Sequence, residues 1–160
     1  MTEPTPSPSE PPAAEPIDPE TLQEVLDGYQ ACATWSTVPL SYCPAPPDGC
    51  DDDTFDDLGI CEWDEAAEAA CRADCESFIR DNLPALLRVT SADGYTWERV
   101  GHDLWLSRNG HGAGFFDRVG STHRHRDDFD ALQEAASAWG EVNLDLTEPD
   151  AEDEQRIVIA

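Results

Sequence analysis

The sequence predicts an α+β fold, with two N-terminal helices packed against a small antiparallel sheet in the order hairpin, helix, hairpin, behind a disordered Pro-rich N-terminal tail. Three observations lead there. Apolar residues recur at three-and-four spacing in the first half, they alternate at 103–107 and 142–146, and an Asn-Gly pair stands at 109–110 between two short apolar runs. At 160 residues the chain suits one core and is too short for two, so residues 18–160 are expected to form a single domain.

The first 17 residues hold six Pro and little to bury, which is the composition of a solvated tail. Asp18-Pro19-Glu20 then supplies an N-cap, a Pro at the first helical position and an acid in the first turn. Leu22, Val25, Leu26, Tyr29, Cys32 and Ala33 form one stripe, and the helix is expected to fade near Trp35. An irregular Cys- and Asp-rich loop follows at 39–61. A second helix is predicted from its Asp64 cap to about Asn82, ended by Pro84, with Leu83, Leu86 and Leu87 in a short turn. Asp103–Ser107 and Gly112–Phe116 read as strands around an Arg108-Asn109-Gly110-His111 turn. A third helix capped by Asp127 or Asp128 carries Phe129, Leu132, Ala135, Ala136 and Trp139, with Gly140 as its C-cap. Val142, Leu144 and Leu146, then Ile157, Val158 and Ile159, complete the sheet.

Thirty-five acids face nine bases, every base is Arg, and the formal charge is −26. Residues 1–91 carry a net −17, residues 127–160 a net −10, and residues 92–126 a net +1 together with all four His. Such a balance argues against direct binding of nucleic acid or an anionic membrane, because phosphate recognition rests on Lys and Arg. Neither a secretory leader nor a membrane-length apolar run is visible, so the expected location is the cytoplasm of a host cell. The sequence lacks a nucleophile elbow, a zincin helix, a P-loop and a dinucleotide fingerprint, and the expectation leans away from an enzyme.

Six Cys lie at 32, 43, 50, 61, 71 and 75. Cys32, Cys71 and Cys75 fall on helical inner faces, where a small apolar thiol fits. Cys43, Cys50, Cys61 and Cys71 form a conceivable structural zinc set, although their spacing matches none of the common paired-Cys patterns; a disulfide or free thiols are the alternatives, and no cofactor is expected. Asp51, Asp52, Asp53, Asp56 and Asp57 form an acid cluster without EF-hand spacing, which reads as a solvated, self-repelling loop rather than a calcium site and is the surface a basic partner would meet.

The segment Gly101–Arg118, GHDLWLSRNGHGAGFFDR, is the densest in the chain. Arg108, Asn109, His111 and Arg118 place donors around a Gly-rich turn, a setting for one anionic group, unless the Arg pair internally with acids such as Asp103 and Asp117. This segment resembles a family of small acidic proteins of phages and mobile elements whose motif reads approximately GHDFWLTRNGHGAGFWDR, from which Leu104, Ser107 and Phe116 depart. The resemblance extends to Gly28-Tyr29 through Trp35-Ser36 and to Asp74-Cys75, Phe78 and Asp81-Asn82, touching residues 22–36, 54–58, 72–82 and 100–146. It implies a phage accessory protein acting inside a bacterial host, and no activity. The leading expectation is a non-enzymatic acidic protein that binds a basic host or phage protein as inhibitor or modulator, with nucleic-acid mimicry as one form of it and the oligomeric state open. The alternatives are a ligand-binding or enzymatic domain using Arg108, His111 and Arg118, and a virion structural or decoration component.

Overall fold

The computed structural model describes residues 16–42, 53–91, 94–120, 123–152 and 154–160, and within these four helices and a two-stranded antiparallel sheet make a mixed α+β arrangement in which helices dominate. Helix α1, Pro19–Ser36, starts as its sequence dictates: the Asp18 carboxylate accepts from the Thr21 amide at 2.9 Å. A short 3₁₀ turn at Leu40–Tyr42 follows. Helix α2 is Glu65–Thr90, α3 is Trp97–Arg108 and α4 is Arg126–Ser137, with 3₁₀ turns at Phe115–Gly120 and His123–His125 between the last two. Strand β1, Leu144–Leu146, pairs with β2, Ile157–Ile159, so that Leu144 faces Ile159 and Leu146 faces Ile157. On its other edge Ile157 bridges to Trp63, exchanging bonds with Glu62 and Asp64, which ties the hairpin to the start of α2.

The centre of the molecule is the crossing of α1 on α3, its most extensive pairing. Gly28 lies on the Glu98 backbone and Gly101 on the Val25 and Tyr29 backbone, so closely that a Cβ at either position would overlap main-chain atoms. Small residues at a crossing let two helices approach to backbone contact, and neither glycine has a substitute here. Around that contact Tyr29 meets Trp105 edge-on at 5.1 Å, and the Trp105 indole N–H donates to Ser36 Oγ. Phe78 of α2 stacks on Phe115 and receives Trp139 edge-on, which closes the second side of the core.

Four sequence expectations change. The predicted hairpin at 103–116 is instead the C-terminal half of α3 and a 3₁₀ turn. Val100, Gly101, Leu104 and Trp105 supply a helical stripe that the alternation of Leu104 and Leu106 concealed. Asn109 and Gly110, read as a hairpin turn, end the helix: Gly110 has φ +64°, and the His111 amide reaches back to the Leu106 carbonyl at 3.2 Å, a Schellman closure. Pro84 does not end α2, which continues to Thr90 because Leu86 and Val89 beyond it are fully buried while Pro84 itself faces outward. Leu87, expected to pack, is exposed. The helix expected after the hairpin, α4, begins two or three residues early, with His125 rather than Asp127 or Asp128 at the cap position. Of the expected tail, residues 1–15 lie outside the described residues, and Ile17 packs partly against the core.

Gly101→Ala is expected to destabilise the fold by about 2 kcal/mol or more, because overpacking at a backbone contact cannot be relieved by a side-chain rotation. The measurement is a lowered urea midpoint with an unchanged slope.

Candidate functional site

Arg108 occupies the last turn of α3 and is 8 % exposed. Its Nη1 donates to Asp74 Oδ2 at 2.7 Å and to the Tyr29 hydroxyl at 2.8 Å, and its Nε donates to the Gly140 carbonyl at 3.1 Å. The guanidinium also lies over the Trp139 ring, 5.4 Å from its centre. One side chain thus braces α1, α2, α3 and the segment after α4. Burial opposes its charge, but Tyr29 and Asp74 outweigh that and raise its pKa. The same burial pushes the Tyr29 hydroxyl well above its usual range.

Arg118 makes a two-pronged bond to Asp103, 2.9 and 2.8 Å, with Tyr95 donating its hydroxyl to the same carboxylate at 2.8 Å. Asp103 is fully buried, so this clasp both satisfies a carboxylate inside the core and pins the 115–120 turn onto α3. Beside it the Trp35 indole N–H donates to His102 Nε2 at 3.3 Å, which requires that nitrogen to be unprotonated; burial holds the His102 pKa below its ordinary value. Ser107 accepts from the Phe115 amide and donates to Gln133, linking the same turn to α4.

The candidate anion-binding residues therefore separate. Asn109 is the helix C-cap: its Nδ2 donates to the Trp105 carbonyl and its Oδ1 accepts from the Val142 amide. His111 is exposed, Arg108 is committed to Asp74, and Arg118 is held by Asp103. The pairing of Arg118 with Asp103 was among the sequence expectations; that of Arg108 with Asp74 was not. Asp74 stands between the buried Cys71 and Cys75 at the edge of their stripe, and an acid bordering an apolar stripe is itself a signal that a cation can face it.

Of the acid cluster, Asp51 and Asp52 lie outside the described residues, and Asp53, Asp56 and Asp57 are exposed. Asp57 has a local task, accepting from the Thr54 amide and hydroxyl, and these bonds lower its pKa. Phe55, between the acids, is fully buried, and its amide donates to the Thr37 carbonyl while the Asp56 amide donates to that of Thr34, a docking role that sequence reasoning missed. Of the conceivable zinc set, Cys43 and Cys50 lie outside the described residues, Cys61 is exposed, and Cys71 is buried. Among the described residues no group of three or more His, Cys, Asp or Glu is arranged to hold a metal ion, and no helix is long and apolar enough to cross a membrane.

Two predictions follow from these environments. Arg108→Ala is expected to destabilise by about 2 kcal/mol or more, reduced from the fully buried case because Asp74 keeps 38 % exposure, whereas His111→Ala stays within about 0.5 kcal/mol of the parent in chemical denaturation. Burial pushes the Cys32 and Cys71 thiols up to about 12 and Cys75 higher still. In the native protein at mildly alkaline pH, these three should resist alkylation while Cys61 reacts, as mapped by mass spectrometry of the adducts.

Comparison of the chain with family models, with curated proteins and with solved structures returns no match.

Proposed function

We propose that the protein is a non-enzymatic acidic binder of a basic protein, a phage-encoded inhibitor or modulator that presents carboxylates where its partner otherwise receives a polyanion. The observation that carries this reading is where the positive charge goes. Among the described residues, Arg72, Arg80, Arg88, Arg108, Arg118, Arg126 and Arg156 each pair with a carboxylate of the same chain. The near-neutral stretch 92–126 thus has Arg108 and Arg118 held by carboxylates, and among the described residues most of the other acids are exposed.

Several acids are also gathered in one place. Glu24 and Asp27 of α1, with Thr96 and Glu98 at the start of α3, line a cleft of about 350 Å³. Its carboxylates suit a lysine or arginine side chain of the partner. Strong net charge of one sign would accelerate encounter at low salt and lose that advantage as screening shortens the range.

The test is association with basic proteins captured from a bacterial lysate, followed by kinetics at low and high salt. A variant carrying Glu24→Gln, Asp27→Asn, Asp53→Asn, Asp56→Asn and Glu98→Gln spares Asp57, which closes its own turn. Association is expected to slow by about tenfold in that variant and to lose much of its salt dependence, while His111→Ala binds as the parent does. Partners without net positive charge, or rates indifferent to both salt and the substitutions, would refute the reading.

A further inference from the structure

The Asn109-Gly110 pair carries a chemistry that neither the ion pairs nor the acidic surface uses. The chain has Asn at 82, 109 and 143; Asn82 and Asn143 precede Leu, and Asn109 precedes Gly. When glycine follows asparagine, its backbone nitrogen is unhindered by a Cβ and can attack the side-chain amide carbon to close a five-membered imide. Gly110 is exposed, and the space where a Cβ would stand is open. By sequence, then, this is the asparagine most prone to lose its amide.

The fold restrains it. Asn109 is half-buried, and both ends of its amide are held: Nδ2 donates to the Trp105 carbonyl at 2.9 Å, and Oδ1 accepts from the Val142 amide at 2.7 Å. Its ψ of 5° turns the Gly110 nitrogen away from the Asn109 Cγ, so ring closure requires the backbone to rotate. The His111-to-Leu106 bond, which closes the helix end, resists that rotation. Val142 belongs to the segment that leads from α4 into β1, so the lock on Asn109 is as durable as the docking of that segment.

We propose that Asn109 is a fold-gated modification site, locked while the Val142 segment is docked and converted once it releases. In the released state the Gly110 nitrogen attacks Asn109 Cγ, the bond from Cγ to Nδ2 breaks, and the displaced Gly110 proton leaves with the amine as ammonia. Water then opens the imide to aspartate or isoaspartate, with no oxidant or reductant involved. Either product places a carboxylate at the C-terminal end of α3, where the helix carbonyls already carry partial negative charge. The Trp105 carbonyl loses its side-chain donor, and isoaspartate lengthens the main chain at the cap. Loss of the amide is irreversible, so the helix end carries a lasting record of each opening, at a rate set by how often the segment releases.

The full chain is incubated at mildly alkaline pH in native buffer and in denaturing urea, and deamidation is mapped by peptide mass spectrometry with isoaspartate detection. Asn109 is expected to convert at least about tenfold more slowly in the native protein, since two hydrogen bonds and a helix cap must open first. Asn82 and Asn143 should remain slow in both conditions. Val142→Pro removes the donor to Oδ1 and, with its helical circular dichroism intact, should raise the native rate several-fold. Should that variant not fold, sub-denaturing urea replaces it, and the Asn109 rate must rise in step with amide exchange of residues 142–146 and 157–159. Equal native and unfolded rates, conversion of Asn82 as fast as Asn109, or a native rate indifferent to the loosening of Val142 would each overturn the proposal.

Discussion

Backbone contact between α1 and α3 at Gly28 and Gly101 is the constraint on which the other arrangements depend. Because the helices meet without intervening side chains, the larger groups on either side of the crossing are brought within reach of each other. Tyr29 finds Trp105, Trp35 finds His102, and Trp105 reaches Ser36. The same closeness carries Asp103 into the interior, where it must be neutralised, and Arg108 to the point where α1 and α2 converge. A polar interior of this kind is specific in geometry: each charged group has partners on separate elements, so a shift of one element leaves an unpaired charge in a poorly solvated place.

This interior use of arginine explains the outer surface. A chain with nine Arg and 35 acids cannot neutralise itself, and two of its cations are committed to the buried Asp103 and the half-buried Asp74. Others sit in exposed pairs one helical turn apart, such as Arg80 with Glu76 and Arg126 with Asp130, which add little to stability. Among the described residues most of the remaining acids are exposed, and their field extends outward with little opposing it. The character proposed for the surface is thus linked to what the core needed.

How much of this was legible depended on whether the deciding partner was near in sequence. The start of α1 was readable from Asp18-Pro19-Glu20, because a cap acts within one turn. The β1–β2 pairing was readable from the alternation of Leu144 with Leu146 and of Ile157 with Ile159. Helix α3 was misread because Gly101 lowers intrinsic helicity and Asn109-Gly110 favours a tight turn, yet both features serve a helix once Gly28 lies across it. Pro84 misled for a similar reason: the burial of Leu86 and Val89 outweighs one lost backbone bond, and that burial is supplied by distant residues. Among the candidate site residues, Arg118 could be matched to Asp103 15 positions away, whereas Asp74 stands 34 positions from Arg108 on another helix. The acid cluster hid Phe55, since a lone aromatic among aspartates has no periodicity to announce its burial.

The bridge from Trp63 to Ile157, like the α1–α3 crossing, joins parts of the chain that synthesis separates widely. Helix α1 presents its apolar stripe chiefly to a helix encoded more than 60 residues later, and the start of α2 is tied to a strand almost 100 residues beyond it. Such closures must be made before their contacts reward the lost chain entropy. The folding nucleus therefore has to recruit α3 early, and an emerging chain that ends before α3 carries an apolar α1 face with only α2 to cover it. On the ribosome this protein gains its core late and nearly all at once, which makes the first two helices the part most in need of protection while translation is under way.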